Sequence, residues 1–225
     1  MGKRYVLGDI HGEYKQLMAV LKAVDFDYEN DHLIQLGDVV DRGAESFECV
    51  EELLKIKNLI AIRGNHDATW FDSLRTGTQN ILFNQGGKQT YASYIKHCGT
   101  LDAIPNAHLQ FFKNQFAYYQ DGHKNLFIHG GFNRHKMLEY QEQNIYIWDR
   151  DLWLAALSYE AMKDQTHPFK YKDEFKEIFI GHTPTTYWDC PTPMHAANIW
   201  NLDTGCGKGG LLTIMNIETK EYVQA

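Results

Sequence analysis

The chain has 225 residues, 44% of them hydrophobic, and a formal net charge of −7 at pH 7. That length can bury one sizeable core, so a single α/β domain over residues 1–225 is the expected organisation. No apolar run approaches the ~20 residues that cross a bilayer, and an acidic balance without a Lys/Arg run argues against nucleic acid as a standing partner.

Arg4 to Leu7 is a short β-type run that leads into a charged motif, unlike a signal peptide. Gly2 does not make a myristoylation signal, because Val6 stands where Ser or Thr is required. Glu13 to Val24 reads as an amphipathic helix with Leu17, Val20, Leu21 and Val24 on one face. His32 to Leu36 is a second strand, Glu45 to Lys57 a second helix, and Leu59 to Ile62 a third strand. Strands separated by helices of this length form right-handed βαβ units and a parallel sheet. Residues 68–122, rich in Asn, Gln, Tyr and Phe, read as helical pieces broken at Gly86-Gly87 and as a cap or insertion within the domain. Strand patterns resume at Asn125 to Ile128, Glu177 to Ile180, Asn198 to Leu202 and Leu211 to Ile217, with a helix over Asp151 to Lys163. Cys49, Cys98, Cys190 and Cys206 form no Cys-x-x-Cys pair, which suits free thiols and a cytoplasmic location.

Five polar clusters fall directly after strands. They are Gly8-Asp9-Ile10-His11-Gly12, Gly37-Asp38-Val39-Val40-Asp41-Arg42-Gly43, Gly64-Asn65-His66-Asp67, His129-Gly130-Gly131 and Gly181-His182-Thr183-Pro184. Asp or Asn beside Gly is ordinary turn chemistry when met singly. Five such clusters at strand ends can converge, since open α/β sheets place ligands at the carboxyl ends of their strands. Carboxylate oxygen and imidazole nitrogen suit borderline divalent metals rather than calcium. Six such ligands can hold two ions about 3.5–4 Å apart.

In this order the clusters resemble the signature of the calcineurin-like metallophosphoesterase superfamily. Within it they are most similar to the phosphoprotein phosphatase branch in its short bacterial and bacteriophage form. The match spans residues 4–205, and GDxHG, GDxVDRG and GNHD together are specific where any one alone is weak. The resemblance implies a four-layer αββα sandwich with a helical insertion over the site. It also implies two divalent metal ions, manganese first, with iron, zinc or nickel as alternatives. Asp9 and His11 would bind one ion, Asp38 would bridge both, and Asn65, His129 and His182 would complete the other. His66 matches the family's general acid, Asp41 its orienting carboxylate, and Arg42 a phosphate-binding arginine, with Asn65 also facing the substrate. Arg150 sits where bacteriophage-type enzymes keep a second phosphate arginine.

These assignments imply hydrolysis of phosphomonoesters, foremost phosphoserine and phosphothreonine in proteins, by attack of a metal-bridging hydroxide. A dinucleoside tetraphosphate hydrolase is the alternative, and a non-catalytic interaction module the third reading. The partner is then a phosphorylated protein or small phosphate ester, with neither nucleic acid nor membrane involved. Asp67 departs from the Glu usual in larger eukaryotic relatives, and Phe132-Asn133-Arg134 from their Leu-Ser-Pro; both point to the short bacterial subgroup. Arg63 reads as support behind the site, and Asp203-Thr204-Gly205 as a turn beneath it. The Gly205 to Gly210 stretch, with Lys208 inside it, lacks P-loop spacing and reads as a hairpin turn. The aromatic-rich Phe111 to Tyr119 reads as core, and the remaining seven histidines as surface or hydrogen-bonded residues.

Overall fold

Several of the short strands are apolar at consecutive positions, which means that both of their faces must be covered. A computed structural model, describing residues 2–79, 81–162, 169 and 174–225, shows what covers them. In β1 (Arg4–Leu7), Tyr5 and Leu7 enter one core and Val6 another. β2 (His32–Gln35) divides Leu33 from Ile34 in the same way. Later in the chain, β5 (Asn125–Ile128) sends Leu126 and Ile128 outward and Phe127 inward. β6 (Glu177–Ile180) repeats this with Ile178, Ile180 and Phe179. The inward residues meet between two sheets, where Phe127 and Phe179 stack with ring centroids 4.9 Å apart.

The first sheet is completed by β3 (Asn58–Ala61), β9 (Thr213–Asn216) and β10 (Tyr222–Gln224), in the order β10-β9-β1-β2-β3. The second adds β4 (Tyr118–Gln120), β7 (Met194–Ala196) and β8 (Ile199–Asn201), in the order β4-β5-β6-β8-β7. Strands β1, β2 and β3 run parallel, as do β5, β6 and β8.

Helices α1 (Tyr14–Ala23), α2 (Ser46–Leu53), α3 (Asn65–Thr76), α4 (Gly87–Cys98) and α5 (Asn106–Asn114) cover the outside of the first sheet. Their Leu17, Val50, Trp70, Tyr94 and Phe112 share one core with Tyr5 and Leu33. Helices α6 (Gln143–Trp148) and α7 (Asp151–Glu160) cover the second sheet through Tyr146, Leu152 and Trp153. The order is therefore helices, sheet, sheet, helices: the four layers that the sequence motifs implied.

The expected βαβ half is present with boundaries shifted by a few residues. The expected helix over Asp151 to Lys163 ends at Glu160, and Lys163 and His167 lie outside the described residues. Strands β4, β7 and β10 and helix α6 were not anticipated. Each strand has three residues and the helix six, too few to print a period on the sequence. The break at Gly86-Gly87 is real, since Gly86 takes φ 121° at the start of α4. Residues 68–122 pack Tyr94, Phe111 and Phe112 into the first core, while Phe116 of the aromatic stretch is half exposed. No helix among the described residues is long and apolar enough to cross a membrane.

Candidate metal centre

The five clusters leave parallel strands at the same end of two stacked sheets, so their side chains meet. Asp9 and His11 follow β1, Asp38 follows β2, His129 follows β5, and His182 follows β6. Asn65 and His66 open α3, just after β3. The loops turn sharply: His11, Asp38, Asp41, Arg42 and His182 all have φ between 51° and 73°. They are half of the ten non-glycine residues with positive φ in the described chain, and such strain costs ~1–3 kcal/mol at each. Close approach also demands glycine. A Cβ on Gly64 would strike Asp38, and one on Gly181 would strike Asp9.

Two groups of donors form around Asp38. His11, Asp38 and His66 make one and Asp38, His129 and His182 the other; within each, one donor atom per residue lies within 4.8 Å of the rest. All five are buried. Asp38 Oδ1 accepts from the His66 backbone N–H at 2.9 Å, at the start of α3, where free N–H groups favour an anion. Asp38 Oδ2 lies 3.7 Å from His11 Nε2 and 3.4 Å from His129 Nε2. His11 Nδ1 donates to the Val40 carbonyl at 2.9 Å, and His129 Nδ1 to the Leu36 carbonyl at 2.8 Å. Both rings therefore aim Nε2 at the shared carboxylate. Asn65 Oδ1 stands 3.1 Å from His129 Nε2 and 2.9 Å from His182 Nδ1.

Asp9 stands outside both groups and accepts from the His182 N–H at 3.1 Å through Oδ2. Burial, reinforced by Asp203, raises its carboxyl well above the ordinary range. Burial works against ionisation of Asp38 too, yet His129 and His66 hold that carboxyl well below the usual value. Burial likewise opposes the charged form of His129, but Asp38 carries it up to about 9. His182 goes the other way: burial, then His129 and Arg150, push it down to about 2. Such opposed shifts among close neighbours are typical of functional sites.

His66 Nδ1 donates to Asp41 Oδ2 at 2.7 Å. Asp41 is in turn held by Thr90, whose Oγ1 accepts from the Asp41 N–H at 2.8 Å and donates to Oδ1 at 2.7 Å. The Arg42 guanidinium abuts His11 Nε2 and lies 3.3 Å from His66 Nε2, while the Arg42 backbone N–H donates to Gly86 O. Arg150 is at the rim, donating to Thr183 Oγ1 at 2.8 Å and to the His182 carbonyl at 3.2 Å.

Sequence reasoning missed three supports. Asp67 accepts from the Val39 N–H at 2.9 Å and from Gln115 Nε2 at 2.8 Å, which ties the Asp38 loop to the start of α3 and to residue 115. Burial, then Asp38, raise its carboxyl to about 6. Thr90 and Gln115 carry no sequence signal, but Asp at the third position of a helix is a recognisable capping pattern. Asp203 accepts from the Gly205 N–H as a turn residue does. Arg63 does not support the site: it donates to the Phe112 and Lys113 carbonyls at the end of α5. Among the other histidines, His108 is buried on Glu51 and Tyr94, and His97 pairs with Glu48. The four cysteines are free.

The donor set fits a pair of borderline divalent ions. Asp9 Oδ1 and His182 Nε2 are buried without a hydrogen-bond partner, an expensive condition that a cation relieves. Proton and cation compete for the same imidazole nitrogens, so an ion at His129 would displace the proton that Asp38 favours there.

Residues 2–217 match a family model described as calcineurin-like phosphoesterase. A curated relative is serine/threonine-protein phosphatase 1 of Salmonella typhimurium, 27% identical over 217 residues, covering 95% of this chain and 91% of that protein. Another is the symmetrical bis(5'-nucleosyl)-tetraphosphatase of Actinobacillus pleuropneumoniae, 28% identical over 268 residues, covering 96% of each. Among solved structures, a candidate diadenosine tetraphosphatase superposes with a TM-score of 0.70 at 19% identity, covering all of this chain and 93% of the other; it speaks for the fold alone.

Proposed function

This chain belongs to the calcineurin-like phosphoesterase family, and from that premise we propose that it hydrolyses phosphomonoesters, foremost phosphoserine and phosphothreonine in proteins. The observation that carries the reading is the pair of buried donor groups sharing Asp38, with the Asp41–His66 pair and Arg42 alongside. Asp9, His11 and Asp38 would hold one ion, and Asp38, Asn65, His129 and His182 the other, with manganese the first candidate. When bound, such ions supply Lewis-acid charge and make a water acidic enough to attack near neutral pH.

The chain's own residues do the rest. Arg42 exchanges its contacts with the two ring nitrogens for phosphoryl oxygens, which its planar fork can bind in pairs. Arg150, held by Thr183, adds a second positive charge where negative charge spreads over the phosphoryl oxygens. His66 donates a proton from Nε2 to the departing alkoxide, a poor leaving group on its own. Asp41 fixes that ring through Nδ1 and favours its imidazolium. Thr90 fixes Asp41. Residues 68–122 therefore serve as a buttress within a single domain, and the free thiols suit a cytoplasmic setting.

The alignment lengths favour the protein phosphatase over the dinucleotide enzyme. Phosphatase 1 aligns over 217 positions, whereas the tetraphosphatase needs 268 positions against a chain of 225 and so carries extra segments. The metal-loaded protein is expected to hydrolyse p-nitrophenyl phosphate with manganese and to lose that activity to a strong chelator. Undiminished turnover in metal-free protein would sink the mechanism. Side-by-side turnover of a phosphopeptide and diadenosine tetraphosphate decides between the substrates, and faster cleavage of the dinucleotide would reverse the choice.

A further inference from the structure

A third cation lies at the rim of the centre, and the mechanism above makes no use of it. The turn from Gly205 to Gly210 closes through the Gly205 carbonyl, which accepts from the Lys208 and Gly210 N–H groups at 2.9 Å each. It folds over the first donor group. Gly207, at φ 73°, packs so tightly that any side chain there would collide with the Cβ of His11 and crowd that of Arg42. Lys208 follows directly and is exposed. Its Nζ donates to the Tyr187 hydroxyl at 3.0 Å and lies 5.2 Å from the centre of that ring.

Tyr187 is 61% exposed, on the short turn after Pro184, five residues beyond His182. The hydrogen bond from Lys208 holds its phenol below the ordinary range, and the charges of Lys208 and Arg150 add to the effect. Lys208, on the turn packed against His11, and Arg150, at the junction of α6 and α7, therefore both act on the same phenol, which sits on the turn that follows His182. In a chain of net charge −7, three cations thus border one buried cluster. Arg42 and Arg150 are engaged by ring nitrogens, a carbonyl and a hydroxyl of the centre itself. Among the described residues Lys208 is engaged at the rim, by a neutral phenol that can turn its own O–H toward an arriving anion.

The geometry points to a second anion position at Lys208 and Tyr187, beside Arg150, which takes a further phosphoryl group of the substrate next to the one being hydrolysed. This deepens the phosphoesterase reading and rests on it. An ammonium and a phenol O–H converging on one spot match the several acceptor oxygens of a phosphoryl group, and a charge-assisted contact of this kind is worth about tenfold in binding. The second phosphoryl could belong to a doubly phosphorylated peptide or to a nucleoside diphosphate chain; the donors are the same for both.

The test uses the full chain with manganese in excess, and p-nitrophenyl phosphate as reporter. No turnover of the reporter with any divalent ion would remove the phosphoesterase reading itself. With turnover established, inhibition constants are measured for methylphosphonate and methylenebisphosphonate. The bisphosphonate is expected to bind about tenfold more tightly. Lys208→Gln should erase most of that advantage, Tyr187→Phe should reduce it about threefold, and Lys208→Arg should keep it. An advantage that survives Lys208→Gln intact, or no advantage in the unaltered protein, overturns the proposal. Repeating the comparison with a singly and a doubly phosphorylated serine peptide, and with AMP and ADP, names the source by which pair shows the Lys208-dependent gain. If neither pair does, the second position is not a phosphoryl site.

Discussion

The same strands end in two different ways. At the amino ends of β1 and β5, Asp121 accepts from Arg4 Nη1 at 2.8 Å, from the His123 and Asn125 N–H groups at 2.8 Å each, and from Asn125 Nδ2 at 2.9 Å. Burial opposes its ionisation, but those donors hold its carboxyl below the ordinary range. At the carboxyl end of β1, Asp9 accepts one backbone hydrogen bond, keeps Oδ1 unpartnered and faces Asp203. One end of the sheet is neutralised by its own residues. The other concentrates buried carboxylates and imidazoles and leaves Asp9 Oδ1 and His182 Nε2 without a partner. A metal centre is thus a place where the fold withholds its usual compensation and accepts a local loss of stability for function.

The sharpest way to break this contrast is Asp9→Asn. It should remove metal, by elemental analysis, and reduce turnover of p-nitrophenyl phosphate to background. Unlike most changes at a buried polar site, it should leave the metal-free chain at least as stable in urea, because it removes an uncompensated carboxylate. Full metal content in the variant would contradict the ligand role of Asp9. Next in size is His66→Asn, expected to keep both ions while lowering kcat by ~10²–10⁴ for a phosphopeptide, and less for an activated aryl ester. Equal losses on both esters would count against proton donation by His66.

The smallest effect belongs to the opposite end. Asp121→Asn should cost about 1–2 kcal/mol of stability at neutral pH, with turnover unaltered. A carboxyl depressed in the folded chain stabilises it above the unfolded value of about 3.9, and loses that contribution as pH falls through the folded value. The cost of Asp121→Asn should therefore vanish toward strongly acidic pH; a cost independent of pH would mean that packing, rather than charge, is what the residue provides.

The centre was more legible than its supports for a physical reason. Asp9, His11, Asp38 and His182 sit on tight turns next to glycines that admit no Cβ, so residue type, spacing and strand position are all constrained together. Thr90 and Gln115 perform equally local jobs, but Thr and Gln occur anywhere. Their meaning arises only when a residue 49 positions from Asp41, or 48 from Asp67, is folded against it. Arg63 shows the reverse error. Its neighbours in sequence suggested the site, yet the last carbonyls of α5 lack partners within their helix and draw the guanidinium away. The four-layer arrangement followed from the motifs, whereas three-residue strands such as β7 and β10 exist through pairing with β8 and β9 and have no pattern of their own.

The anchoring of the two imidazoles has a consequence for metal choice. His11 and His129 come from different sheets, yet both are pinned by carbonyls of one five-residue loop, at Val40 and Leu36, with Asp38 midway between them. Three donors from three strands thus take their spacing from a single short stretch of backbone. A change in the curvature of that loop would move all three donors as a unit, so any ion held there would meet a spacing set by main chain rather than by side-chain reach.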